Sequence, residues 1–402
     1  MKVAYINDTF GTGSIGRLTK ELAESLIQYG NEVRFFYAQG SGNADYSIKI
    51  SSRNRQKVHA ILSRITGLQG YFSYASTQTL IKYLREFSPD VVHLQNLHSN
   101  YINLKLLSNY IKSNNIATVI TLHDCWFFTG KCTYFIASNC NKWMDGCGKC
   151  PQLHTDNVNP TLFFDITKKC LKDKENWFAK NEKLGVVGVS QWITSEAKKS
   201  IYKENEITCI YNWVDQGTFY YHKNANIDEL KLPRKKIVLM VSTNLSEIKG
   251  YKELIYLSNN LTEEFQLVYI GNNKANLFIP ENVIYIKHTD SAEQLAEYYS
   301  IADVCVNTTK YETFGMVTAE AMSCGTPVIV YRNTASPELV GNGCGAVVDS
   351  VDDILSAVNM VTRQNREKTR ESCIQWAKIA FNKDDKVRDY VRFYERLIGK
   401  DR

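Results

Sequence analysis

At 402 residues the chain is too long for one ordinary domain, and two of about 200 residues each is the natural division. Hydrophobic residues make up 44% and aromatics 12%, which supplies two cores and excludes global disorder. A net charge of +6 speaks against a dedicated nucleic-acid binder and leaves room for a local basic patch that meets phosphate or a membrane surface.

The chain opens on an apolar strand, residues 2–6, with no long apolar run behind it, so no secretory signal is expected. No stretch approaches 18 apolar residues, so no membrane-spanning helix is expected either. Eleven cysteines in such a chain point to reduced thiols or metal ligands and to the cytoplasm. A glycine-rich loop follows the first strand (Gly11-Thr12-Gly13-Ser14-Ile15-Gly16-Arg17). Next comes a helix over about residues 18–29, apolar at Leu18, Leu22, Leu26 and Ile27 and ended by Gly30. Residues 32–37 read as the second strand.

Residues 51–66 carry Arg53, Arg55, Lys57, His59 and Arg64 with no acid, and Val58, Ile61, Leu62 and Ile65 at helical spacing. Such a helix can lie on an anionic membrane. The ordinary reading, a solvated helix with its apolar side on the core, is slightly preferred. Strands are expected at 89–96, 117–122 (ending in His123-Asp124) and 184–189. Strands alternating with helices predict a parallel sheet covered on both faces. Residues 209–219 read as a connector with Asn212 at its turn. The pattern then restarts with strands at 237–242, 265–270, 283–286, 304–307 and 328–331. An amphipathic helical segment over about 374–398 closes the chain.

The richest stretch is YYSIADVCVNTTKYETFGMVTAEAMSCGTPVIV, residues 298–330. A strand leads through a polar loop and Phe314-Gly315 into a helix, which stops at Cys324-Gly325 before another strand. Glu312 and Glu320 flank the helix start. Glu312 lies at the carboxyl end of a strand, where ligands of open α/β sheets bind. The helix N-terminus offers unpaired N–H groups to a phosphate.

This block resembles the E-x7-E region of glycosyltransferase family 4. The dense match of Glu312, Phe314-Gly315, Glu320-Ala321 and Gly325-Thr326-Pro327 within strand–loop–helix–strand carries the resemblance. It implies an α/β protein of the GT-B fold: two Rossmann-like domains facing across a cleft, with a C-terminal helix crossing back to the first. The expected division is 1–208 (acceptor domain, with a Cys-rich loop at 125–152), 209–373 (nucleotide-sugar domain) and 374–402 (returning helix). The implied activity is that of a retaining transferase of the EC 2.4 class. It would move a sugar from a nucleotide-diphosphate sugar to a glycan or lipid-linked glycan in surface-polysaccharide biosynthesis.

The resemblance also implies roles. Lys249, in Ser246-Glu247-Ile248-Lys249-Gly250, would meet the donor diphosphate together with the backbone at Thr313, Phe314, Gly315, Met316 and Val317. Glu320 would accept the ribose hydroxyls, a cis-diol that suits a carboxylate. Glu312 and His123 would attend the donor sugar. Gly13 belongs to the family's glycine-rich first loop. Many members carry an arginine a few residues before the lysine; here Thr243, Asn244 and Ser246 occupy that region, and Arg17 is the proposed substitute. The sequence has no Asp-x-Asp triplet, so no catalytic metal is expected, and a helix terminus worth roughly 0.3–2 kcal/mol is too little alone, which puts the load on Lys249.

Cys132, Cys140, Cys147 and Cys150 are spaced C-x7-C-x6-C-x2-C, and the last pair forms a knuckle of the kind that presents two thiolates to zinc. Structural zinc, two disulfides and four free thiols all stay open, with zinc preferred. The surrounding pattern, His123-Asp124-x-Trp126 through Cys150-Pro151, resembles a subgroup found with bacterial capsule and exopolysaccharide synthesis. A peripheral contact at the inner face of the membrane would suit a lipid-linked acceptor. The competing readings are a nucleotide-sugar epimerase or a glycogen-synthase-like chain extender on the same architecture, or a catalytically silent glycan- or nucleotide-binding protein, which the missing arginine motivates.

Overall fold

Alternating strands and helices along the chain require parallel pairing, because a parallel neighbour is reached only by a crossover. The computed structural model describes residues 1–156 and 158–399. Among these, every strand pair is parallel. One unit comprises Met1–Ile210 and the segment from Val387 onward; the other is Tyr211–Lys386.

The first unit holds β1 (Lys2–Ile6), β2 (Glu32–Tyr37), β3 (Ser47–Lys49), β4 (Val91–Leu94), β5 (Ala117–Leu122), β6 (Leu184–Gly188) and β7 (Glu206–Cys209). They lie in the order β3-β2-β1-β4-β5-β6-β7. The second holds β8 (Lys236–Asn244), β9 (Phe265–Asn272), β10 (Val283–Ile286), β11 (Val304–Asn307), β12 (Val328–Tyr331) and β13 (Gly345–Val348), in the order β10-β9-β8-β11-β12-β13. Strand order reverses between β1 and β4 and between β8 and β11. Crevices at such reversals, outside the carboxyl ends of the strands, are where open α/β sheets bind ligands. β4, β5, β6, β11 and β12 are buried along their whole length, as strands covered on both faces must be.

The end of the chain differs from expectation. Residues 374–398 are not one helix but parts of two, Arg366–Ala380 and Lys383–Leu397. The break falls where Phe381 buries its ring and Asn382 Oδ1 accepts the N–H of Asp385 at 3.1 Å, starting a new helix. Only the part from Val387 joins the first unit. There Tyr394 bonds Tyr5 (3.1 Å) and His93 (2.6 Å), and Arg396 pairs with Glu206 at 2.9 Å. Gly185 of β6 makes the room: a Cβ there would lie 2.5 Å from the Phe393 ring.

Gly185→Ala is therefore expected to destabilise the first unit by about 1–3 kcal/mol through overpacking, and Phe393→Leu in the same chain to restore part of the loss. Thermal or urea melts check this; an unchanged midpoint for Gly185→Ala would show that the helix yields freely.

Candidate functional site

At the reversal in the second unit, the chain leaves β8 and makes a short 3-10 turn, Glu247–Lys249. Gly250 ends the turn with φ +91°, where a Cβ would also stand 2.6 Å from Thr308 Oγ1; only glycine fits both demands. The loop after β11 answers from the other side. Lys310 N–H donates to the Ile248 carbonyl at 2.9 Å, and Lys249 Nζ meets Glu312 Oε1 at 2.9 Å. Glu312 is held at both ends of its peptide: its N–H donates to Thr334 Oγ1 at 2.9 Å, and its carbonyl accepts from Ala335 at 3.2 Å. The pair is partly open to water, with side-chain exposures of 32% for Lys249 and 17% for Glu312, so an incoming anion can reach the ammonium.

The helix Met316–Ser323 begins at Gly315, φ +107°, with no side chain capping it. The first N–H groups of a helix lack intrahelical partners, and here they stand one step from Glu312. Phe314 turns away from that space and packs edge-on against Tyr211 and Phe381, with ring centroids 5.8 and 5.7 Å away. Thr313 is buried; Met316 and Val317 are half-buried. Glu320 lies on the inner side of the helix, where the buried Tyr299 hydroxyl donates to it at 3.5 Å. Burial, and then the Glu320 charge, push the Cys305 thiol up to about 12.

Lys249 and Glu312 thus come together directly, and residues 313–317 adjoin them. Asn244 cannot replace an arginine; its amide oxygen accepts the Lys274 N–H at 3.0 Å. Arg17 belongs to the other unit, on the helix Gly13–Gln28, 4.0 Å from Glu21 one turn on. Gly13 opens that helix at φ +67° with open space around it. Beside the Lys249 turn the structure also holds the backbone of Lys310, unmarked in sequence because its N–H bond to Ile248 links segments that follow two different strands.

A cavity of about 580 Å³ opens elsewhere in this unit, at the amino end of β8, lined by Arg234, Arg366 and Arg370 among others. Those arginines are engaged with Asp228, Asp303 and the Tyr221 ring. It lies at the wrong end of the strands for the chemistry.

In the first unit the loops after β1, β4 and β5 interlock. Asp8 accepts from Ser99 Oγ at 2.7 Å, and Asp124 pairs with His98 Nε2 at 2.9 Å. Neither Asp8 nor His98 stands out in the sequence. His123 is nine-tenths buried, and its Nε2 donates to Gln95 Oε1 at 2.6 Å. Gln95 then meets His93 at 3.0 Å, and His93 meets Tyr394. Burial drives the His123 pKa down to about 4, so the imidazole is neutral at pH 7. Burial by itself would raise the Asp124 carboxyl, but His98 outweighs it and holds the carboxyl below its usual range.

Cys132, Cys140, Cys147 and Cys150 line one small cavity of about 20 Å³. None is in a disulfide. Burial pushes the Cys132 thiol up to about 12 and Cys147 up to about 11. Among the described residues no three His, Cys, Asp or Glu side chains stand in metal-holding geometry. The loop has an aromatic core of its own. Phe128, Phe135 and Trp143 are buried, with the Phe128 and Phe135 ring centroids 5.1 and 5.0 Å from that of Trp143. The buried Lys174 ammonium also holds the carbonyls of Trp126 and Thr129.

The model for "Glycosyltransferase Family 4" matches residues 15–217, half of the chain, and that for "Glycosyl transferases group 1" matches 222–379. The chain belongs to glycosyltransferase family 4. A putative colanic acid biosynthesis glycosyl transferase, WcaC of Escherichia coli K12, is 24% identical over 99% of this chain and all of its own. Sucrose-phosphate synthase from Thermosynechococcus elongatus superposes with a TM-score of 0.69 at 16% identity, covering all of both chains. Anabaena HepE, solved with UDP-glucose, superposes with a TM-score of 0.69 at 13% identity over 98% of this chain and all of that one. The fold is GT-B, and the chain is a transferase of the EC 2.4 class.

His123 and His59 both have pKa values lowered to about 4 from 6.5, chiefly by burial. A base whose folded pKa is depressed favours folding above its unfolded pKa and withdraws that support as pH falls towards the folded one. Stability is therefore expected to fall between pH 6.5 and 4, by about 3 kcal/mol for His123 at full titration. Melting at constant ionic strength across that range checks it; a flat profile would mean that water reaches these rings.

Proposed function

We propose that this glycosyltransferase is retaining and transfers a sugar from a nucleotide-diphosphate donor to a glycan or lipid-linked glycan during surface-polysaccharide synthesis. The supporting observation is the Lys249–Glu312 pair beside an uncapped helix start. A diphosphate carries more charge than one carboxylate and would take the ammonium from Glu312. Lys249 and the N–H groups at 314–316 would then face charge as it builds on the departing phosphate. The released Glu312 carboxylate can orient a sugar hydroxyl or oppose positive charge at the anomeric carbon. In front-face transfer the bond from the anomeric carbon to the phosphate oxygen breaks, that oxygen leaves with the diphosphate, and the acceptor oxygen bonds the same face. The acceptor's proton passes to the departing phosphate oxygen. The name of the E. coli relative supports the polysaccharide setting, and the Anabaena complex supports the donor class. The region of Thr243, Asn244 and Ser246, where many members carry an arginine, favours a second reading, a nucleotide binder without turnover.

Glu312→Gln is expected to cut kcat by roughly 100-fold or more while nucleotide binding changes little. Steady-state kinetics and calorimetry measure both. Unchanged turnover in Glu312→Gln removes that residue from the site, and donor binding without transfer or hydrolysis in the parent chain favours the silent reading.

We also propose that the four loop thiols hold one structural zinc ion. Their shared cavity supports this, as do backbone N–H bonds onto sulfur from Gly130 to Cys147 and from Gln152 to Cys150. Binding requires the thiols to lose their protons, which burial favours at Cys132, Cys147 and Cys150, and to draw closer than they stand. Purified protein should carry about one zinc per chain, and Cys147→Ser/Cys150→Ser should lose it and melt lower. A metal-free parent chain with all four thiols titratable overturns the assignment.

A further inference from the structure

The helix Arg53–Thr66 packs with its polar side inward. His59 and Ser63 are its buried residues. His59 Nδ1 bonds Ser73 Oγ at 2.7 Å, Ser63 Oγ donates to the Leu68 carbonyl at 3.0 Å, and Gln56 donates to Ala38 at 3.0 Å. The apolar stripe faces water instead: Val58 is 57% exposed, Ile61 57%, Leu62 36% and Ile65 40%. This reverses the preference for an apolar side on the core. Beside it, Leu162, Phe163 and Phe164 are exposed by 55%, 68% and 58%. They are fixed to the helix end by the Leu162 N–H, which donates to the Arg64 carbonyl at 2.7 Å. Contiguous apolar surface of this kind marks an interaction site.

Charge selects the occupant. Arg53, Arg55, Lys57 and Arg64 rim the stripe, all exposed, and no Asp or Glu occurs between Asp45 and Glu86. A second copy of the chain docking face to face would set these cations against their own kind, because a two-fold interface meets itself. An anionic lipid surface offers acyl chains for the stripe and phosphates for the rim. We propose that the helix Arg53–Thr66 with residues 162–164 docks this protein on an anionic phospholipid bilayer.

The position gives the docking a purpose, a point that rests on the proposed function. Ser73, which holds His59, also donates to the Asn100 carbonyl at 3.3 Å, in the loop after β4. Gln69, just past the helix, accepts the Trp126 indole N–H at 2.8 Å, and Trp126 packs edge-on with its ring centroid 5.7 Å from that of His98. The bilayer face thus adjoins the carboxyl ends of β4 and β5, where a lipid-borne glycan would present its sugar.

Vesicle sedimentation of the full chain tests the docking without any transfer step, so its failure leaves the transferase reading standing. The parent chain should pellet with vesicles of phosphatidylcholine plus phosphatidylglycerol, far less with phosphatidylcholine alone, and less in high salt. Ile61→Ser/Phe163→Ser and Arg53→Ala/Arg55→Ala/Lys57→Ala should each weaken vesicle binding roughly tenfold or more, with melting temperature and nucleotide binding unchanged. A parent chain that stays in the supernatant overturns the proposal. So does equal pelleting of parent and variants, or a parent dimer that Ile61→Ser/Phe163→Ser makes monomeric without any vesicle binding.

Discussion

The second unit's site depends on β8 and β11 being neighbours with their carboxyl ends on one side. That pairing brings the turn after one strand against the loop after the other, and the Lys249–Glu312 contact at 2.9 Å follows. The surroundings are built to keep it. Gly250 admits Thr308 at a distance no side chain would allow, and the Lys310–Ile248 bond fixes the register of turn and loop. Opposite charges held this way at a partly open position cost little to separate, since such pairs contribute about 0–1 kcal/mol. A resting ion pair is therefore a cheap way to hold an ammonium in place while leaving it open to exchange its partner.

One buried run in the first unit solves a different problem, polarity without charge. His123, Gln95, His93, Tyr394 and Tyr5 form a buried run of hydrogen bonds. A charged member would carry a large desolvation penalty, and burial keeps His93 and His123 neutral. The run begins at the candidate sugar-facing imidazole and ends on the returning helix. Tyr394 is therefore more than packing: it fixes His93, which fixes Gln95, which sets the ring of His123.

Much of this was legible in the sequence. Long apolar runs such as residues 117–122 and 328–331 became central strands because both faces are buried, and the helix Met316–Ser323 fell where its flanking glycines placed it. The strands that escaped notice, β3, β7 and β13, are all sheet edges. They are short and half-buried, so neither run length nor alternation marks them. The site divides the same way. Residues within one motif, Glu312 to Val317, could be read locally. The Lys310 tie, the His98–Asp124 pair and the inward turn of Glu320 depend on contacts between distant segments, which spacing does not encode. The helix Arg53–Thr66 had the right period and the opposite orientation, because hydrogen bonds from His59, Ser63 and Gln56 made its polar side the better inner face.

Two motifs that donor chemistry leaves unused prove to be neighbours. The cysteine-rich loop and the basic helix are far apart in sequence, yet residues 162–164 lie between them in space. On the loop side, Asp165 accepts the Cys150 N–H at 2.6 Å and Thr167 Oγ1 accepts from Gly148 at 3.0 Å. On the helix side, Leu162 is tied to Arg64, and Gly67 is held so near the Phe164 carbonyl that a Cβ would lie 2.7 Å from it. Exposed phenylalanines on an unbraced loop would tend to collapse inward to escape water. Here the backbone on either side of Phe163 and Phe164 is bonded to rigid partners, so their exposure is imposed by the fold. The thiol loop, with its own aromatic core, is the brace that keeps an apolar tip beside a cationic helix.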